Sequence, residues 1–356
     1  MAVRYRSAER DRKPCKDCRE NTKVKDMAVI KVTDIAYIRL RSPDLDLQAE
    51  FLDNFGLVPS EKTGKAIYYR GTDPVHHLHI TEKGEPKVLG VAYHAASEDD
   101  LKTLSKVPGA TGIETMDEPG GGKRVRLTEP NGYQIEVVWG MQKVPEIPAP
   151  RQLLNSGYAP LARAGDLMRI KKGPSRVKRI AHAVLGTPKV KETVNWFRHH
   201  LGFICSDDVW AGEKDNLIGS FNRIDGGETF VDHHVFFAIN HDTAGLNHVS
   251  FEVQDMDDVF MGHEHMRNTG KYEHMWGIGR HLLGSQLFDY WFDPEAADRA
   301  ADEYFSRVYD SPEERQARTA PKPTNYVECT QDEYDAWRDR QADVYYRSDF
   351  DSQDRY

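Results

Sequence analysis

VTDIAYIRLRSPDLDLQAEFLDNFGLVPS, residues 32–60, and VKRIAHAVLGTPKVKETVNWFRHHLGFICS, residues 177–206, carry the same features in the same order. Each opens with an apolar strand, breaks at a polar turn, continues as an amphipathic helix and passes through glycine into a second strand. NWFRHHLGF stands where FLDNFGL stood. Two further copies start at VLGVAYHAASEDDLKTL (88–104) and LNHVSFEVQDMDDVFMGHEHM (246–266), where an alternating strand leads through an acidic turn into a helix. Repetition at this period decides the fold: the chain parses as four modules of roughly 50–65 residues, two per domain.

A segment with several Pro and Gly breakers, MQKVPEIPAPRQLLNSGYAPLARAGDLMRIKKGPS, separates the two pairs. The expected organisation is a polar tail (1–26), an N-terminal domain (27–140), a linker (141–175), a C-terminal domain (176–310) and a second tail (311–356). A chain of 356 residues has room for two such domains, each burying its own core.

Composition narrows the function classes. The sequence is 39% hydrophobic and 29% charged, and contains no apolar run near the ~18 residues of a membrane span. MAVRYRSAERDRKPCKDCRE is polar where a secretory signal would be apolar, so a cytoplasmic location is the default expectation. A formal net charge of -9 gives no electrostatic reason to expect nucleic acid, and small molecules are the expected partners. Four cysteines are too few and too scattered for a disulfide framework. Cys15 and Cys18 form CKDC, half of a zinc site that no second pair completes; a polar tail is the plainer reading.

The VxDIAY and HxxxxLGF phrasing of the paired modules resembles the vicinal oxygen chelate superfamily. NHVSFEV and GIGRHLLGSQLFDYWFDP in the second half resemble its type I extradiol ring-cleavage dioxygenases. That resemblance covers about 280 residues and implies an α+β fold of two domains, each of two β-α-β-β-β modules forming an open mixed sheet around a cavity. It also implies a non-haem metal held in the second domain by two histidines and a glutamate, with one face open to a catechol and O2. Fe(II) is the expected ion and Mn(II) the alternative.

Fifteen histidines make any single one uninformative, so position has to select. His182 and His248 sit on the first strands of the third and fourth modules, which face one another in this fold class, and they match the family's ligand histidines. In the first domain Tyr37 and Gly90 occupy these two places, and that pair holds no metal. In FVDHHVFFAINHDTAGLNHVSFEV, two alternating strands around NHDTAG suggest a hairpin near His241 that sets His234 across from His248. His234 matches the family's acid-base histidine, and strand alternation turns His233 to the opposite face. Tyr290, ten residues after Arg280, matches a tyrosine that bonds the substrate phenolate, and His281 matches a supporting histidine. Trp276 stands where relatives that bind carboxylated catechols carry arginine, which favours a ring without a carboxylate.

The third ligand is open. Laid on TEPNGYQIEVV, FDPEAADRAADEY puts Ala300 where the first domain has Glu136 and where the family has its glutamate. A three-residue extension would supply Glu303. Against this, Asp293 and Pro294 suit a helix start, and Glu295, Arg299, Glu303 and Arg307 would then line up as solvent-facing ion pairs. A helix inserted there would postpone the closing strand to TNYVEC and offer Glu328; loss of the carboxylate is the third alternative. The expected function is therefore an Fe(II)-dependent extradiol dioxygenase acting on a catechol-like aromatic. Its rival is an aromatic-ligand binding protein of the same fold with a weakened or lost metal site. A homo-oligomer is expected, with Trp337, Tyr345 and Tyr346 available to a neighbouring subunit or to their own domain.

Overall fold

The computed structural model describes residues 28–149, 161, 164–165, 172–211 and 216–294. The first module runs β1 (Val32–Ser42), α1 (Leu45–Phe55), β2 (Val58–Lys62), β3 (Ala66–Arg70) and β4 (His79–Lys83). The second runs β5 (Lys87–Ala95), α2 (Glu98–Leu104), β6 (Glu114–Thr115), β7 (Lys123–Thr128) and β8 (Gln134–Trp139). The third repeats the first with β9 (Val177–Thr187), α3 (Val190–Leu201), β10 (Ile204–Trp210), β11 (Leu217–Arg223) and β12 (Phe236–Asn240). β13 (Gly245–Val253), α4 (Met256–Thr269), β14 (His274–Arg280) and β15 (Leu287–Trp291) form the described part of the fourth.

Local chemistry sets the helix ends. The Asp44 carboxylate accepts from the backbone N–H groups of Asp46 and Leu47 at 3.0 and 2.9 Å, which satisfies two donors at the start of α1. Ser97 and Asp100 cap α2 reciprocally. The glycines of FGL and LGF are the stops: Gly56 and Gly202 take left-handed φ values of 111° and 75° at the ends of α1 and α3. A Cβ at Gly202 would also lie 2.8 Å from the Ile30 carbonyl oxygen, so glycine is needed there twice over.

In the first half an eight-stranded sheet has the order β2-β3-β4-β1-β5-β8-β7-β6. The first strands of the two modules, β1 and β5, pair antiparallel at its centre, and each module's last strand returns parallel beside its own first. The second half follows the same rule with β10-β11-β12-β9-β13, where β9 pairs antiparallel with β13 and parallel with β12. This is the expected α+β arrangement of paired modules. Among the described residues β14 and β15 form a separate two-stranded ribbon, and β15 is the counterpart of β7. Glu303, Glu328, Cys15, Cys18 and the tail aromatics lie outside the described residues.

One expectation fails at this level. The hairpin around His241 does not form, because β9 lies between β12 and β13 and pairs with both. Two alternating strands joined by a short turn look like a hairpin in sequence, but here the turn steps over a strand that arrived much earlier in the chain. His234 therefore lies beside His182 and is not the cross-strand partner of His248.

Apolar side chains of both halves form one core. Phe197 of α3 stacks on Phe236 of β12 with ring centroids 3.9 Å apart and meets Tyr93 of β5 edge-on at 6.1 Å. Phe197 is fully buried, so truncation to alanine would cost about 3–5 kcal/mol. After β8 the chain folds back on the first half, where Ile147 N–H donates to the Thr72 carbonyl at 2.8 Å. No helix among the described residues is long and apolar enough to cross a membrane.

Candidate active site

Two bulges aim the histidines. Along β9 and β13 the register slips at Ala181 and at Asn247, so His182 faces Ser250 and His248 faces Val184. A bulge re-aims the side chains beside it, and these two turn both imidazoles toward one point. His182 Nε2 and His248 Nε2 stand 3.3 Å apart. Two nitrogens sharing one ion at ~2.1 Å, at angles between a right angle and tetrahedral, stand about 3.0–3.4 Å apart, so the pair fits a divalent metal. His248 Nδ1 donates to Asn247 Oδ1 at 2.7 Å, which leaves the Nε2 lone pair for a ligand. Burial, with His281 and His234 nearby, holds His248 down at about 3. Burial and the neighbouring His248 push His182 far below its ordinary value, so both rings stay neutral, the form that binds metal.

His234 is buried with its ring centroid 4.2 Å from that of His182. Its Nδ1 lies 3.1 Å from His233 Nδ1, and His233 Nε2 lies 2.7 Å from an Asp207 carboxylate oxygen of β10. Tyr290 closes the other side. Its hydroxyl is 3.4 Å from His248 Nε2 and 3.2 Å from His281 Nε2, and its ring meets His248 edge-on at 4.9 Å. Trp276 stacks behind Tyr290 at 5.0 Å and packs on Phe288 at 3.9 Å, so it backs the tyrosine and does not line the cavity. The described residues around the cluster bound a cavity of about 1280 Å³, whose walls include His182, His234, His248, His281, Phe288 and Tyr290. A single-ring substrate fits within it.

The structure thus brings His182, His248, His234, Tyr290 and His281 together. No carboxylate completes a three-residue ligand set with the His182–His248 pair among the described residues. The one convergent set of three there is His263, His274 and Asp289, which sequence reasoning missed. Asp289 accepts from His263 Nδ1 at 3.1 Å, His274 Nε2 at 2.7 Å and Trp291 Nε1 at 2.6 Å. These bonds pin α4 to the β14–β15 ribbon and hold Tyr290 by its neighbour in sequence.

Asp207 and Asn247 were also missed, although the sequence carried a signal. Asp207 lies five residues after Gly202, and Glu61 lies five residues after Gly56; the pair His233–His234 likewise repeats His76–His77. The register confirms the match, since His79 pairs with Ile38 as Phe236 pairs with Ala183.

In the first half, the same positions are occupied differently. β1 and β5 carry bulges at Ala36 and Leu89, the counterparts of Ala181 and Asn247. Tyr37 donates its hydroxyl to Glu136 of β8, and Arg126 Nε meets the same carboxylate at 3.1 Å. Arg39 reaches Glu118 at 2.8 Å and Glu82 at 2.9 Å, so ion pairs fill the space that the second half leaves to imidazoles. A Cβ at Gly90 would lie 2.1 Å from the Gln134 carbonyl oxygen of β8, and no histidine fits there.

No protein-family model matches the chain. Among curated proteins it is 29% identical over 265 residues to metapyrocatechase 2 of Cupriavidus necator, covering 74% of this chain and 78% of that one. It is 26% identical to the manganese-dependent 2,3-dihydroxybiphenyl 1,2-dioxygenase of Geobacillus genomosp. 3, covering 78% and 86%. Among solved structures, a Mn(II)-bound glyoxalase from Novosphingobium aromaticivorans matches with TM-score 0.60 at 24% identity, covering 74% of this chain and 79% of that one. A 2,3-dioxygenase from Pseudomonas sp. KL28 matches with TM-score 0.59 at 20% identity, covering 75% and 90%. The chain has the α+β fold of these structures, with open mixed sheets built from paired modules. Its relatives by sequence are extradiol ring-cleaving dioxygenases.

Proposed function

We propose that this protein is a metal-dependent extradiol dioxygenase that opens the ring of a catechol-like aromatic lacking a carboxylate. The observation that carries the reading is the 3.3 Å separation of His182 Nε2 and His248 Nε2, with His234 and Tyr290 around it. His182 and His248 would hold the ion, with Glu303 as the proposed third ligand. Fe(II) is the first choice, and Mn(II) is supported by the names of two relatives. A bound ion would supply Lewis acidity toward the diol and a route for charge from the ring to O2.

The remaining work falls to the chain. Tyr290, its hydroxyl steadied by His281, donates a hydrogen bond to one diol oxygen and fixes the ring plane. His234 accepts a proton from the diol at its imidazole and returns one as the ring opens. Phe288 and Leu246 line the cavity and keep bulk water from the reacting carbons. In the net reaction the carbon–carbon bond beside the diol breaks and both atoms of O2 enter the product. Trp276, the position that in the resemblance carries a carboxylate-binding arginine, lies behind Tyr290 as an apolar support and bears on the substrate through that tyrosine.

Metal content and O2 consumption with 3- and 4-alkyl catechols test this reading. One ion per chain and stoichiometric O2 uptake are expected, and Glu303→Ala is expected to lose both. A metal-loaded protein that consumes no O2 with any catechol would overturn the reading in favour of ligand binding alone.

A further inference from the structure

Asp207, His233 and His234 form a continuous chain of ring and carboxylate contacts from the rim of β10 to the candidate active site. The His233 ring nitrogen Nε2 lies 2.7 Å from the Asp207 carboxylate, and the two imidazoles meet through Nδ1 and Nδ1 at 3.1 Å. Their donor and acceptor roles are fixed in sequence. A carboxylate only accepts, so a neutral His233 carries its single proton on Nε2 and leaves Nδ1 as an acceptor. His234 must then donate from Nδ1, which leaves its Nε2 bare. The Phe221 ring packs against both imidazoles, at 5.4 and 4.9 Å, and Ser206 Oγ donates to the His233 carbonyl at 2.6 Å, so the pair is held in place.

We infer that Asp207 and His233 are positioning residues that lock His234 in the tautomer with an unprotonated Nε2 ready to take a substrate proton. This rests on the acid-base role given above to His234. The first half of the molecule supplies the contrast: His76 and His77 keep the Nδ1–Nδ1 contact at 3.0 Å, but their acid, Glu61, stands off at 3.9 Å and is half exposed. No metal pair adjoins His77, and the acid contact is loose where no base is needed. Where His182 and His248 converge, the acid closes to hydrogen-bond distance.

The test is to read tautomers directly, in the metal-free protein, by long-range proton–nitrogen NMR of ¹⁵N-histidine, with His234 assigned by its loss in His234→Gln. The wild type is expected to show His234 protonated on Nδ1 alone. Asp207→Leu releases His233 to donate from Nδ1 and should move His234 toward Nε2–H. Asp207→Asn, whose amide oxygen still accepts, should restore the wild-type pattern. In the loaded enzyme Asp207→Leu should lower kcat roughly 10- to 100-fold with KM and metal content unchanged. His234 found as Nε2–H in the wild type, or unmoved in Asp207→Leu, would overturn the relay. A wild type that turns over no catechol would overturn the functional reading, while the tautomer measurement would still decide the relay.

Discussion

At Tyr37 and at His182 the two halves of the molecule place a side chain on matching strands, next to matching bulges at Ala36 and Ala181. Two residues further along the same face the first half has Arg39 and the second has Val184. That second difference commits the site. A guanidinium in the sheet interior demands counter-charges, and Glu82, Glu118 and Glu136 provide them, so the carboxylate of β8 becomes structural. With valine in that place no such demand arises, and the imidazoles of His182, His234 and His248 remain uncharged around one point. The same fold unit thus yields a closed ion-pair core in one copy and a ligand site in the other.

Breaking the second half should have the largest effect. His248→Ala is expected to lower metal affinity by more than the roughly 10- to 100-fold that losing a supporting partner costs, and to abolish O2 uptake. Tyr37→His should add no second ion, because Gly90 and the ion-pair network leave no room for one; metal analysis of both variants checks the contrast. Next in size, His234→Gln should lower kcat roughly 10²- to 10⁴-fold with metal content retained, while the equivalent change His77→Gln leaves kcat unaltered in steady-state assays.

In the first half, Glu136→Gln takes one of three counter-charges from the buried Arg39, which keeps Glu82 and Glu118, so the loss in chemical denaturation should stay below the ~3–5 kcal/mol of a fully unpaired buried charge, without touching the metal. The smallest effect concerns His79, which occupies the place of Phe236. Burial depresses His79 from 6.5 to about 4. As pH falls below 6.5 the unfolded chain takes up that proton first, so stability is lost between pH 6.5 and 4, by about 3 kcal/mol from this residue. His79→Phe should flatten that part of the pH–stability curve, as measured by urea titrations at stepped pH.

How far the sequence reached depended on the range of the interaction. The helix ends were legible because Gly56 and Gly202, and the acidic caps Asp44 and Asp255, act within a helix turn. His182, His248 and Tyr290 were singled out by position in repeats and by resemblance. The route of His234 to the site was misread, because the alternation of β12 and β13 is compatible with a hairpin. Only the parallel return of β12 onto β9 excludes it. Asp207 went unnoticed because its contact with His233 spans 26 residues and two strands. The repeated spacing of Glu61 and Asp207 after their glycines was the available clue.

Pulsed electron paramagnetic resonance of the Mn(II)-loaded protein tests the central claim most directly, because it counts the imidazole nitrogens bound to the ion. The account predicts coupling to two histidines in the wild type, to one in His182→Ala or His248→Ala, and an unchanged signal in Tyr37→Phe. Imidazole coupling that survives intact in the double variant lacking both His182 and His248 would contradict it.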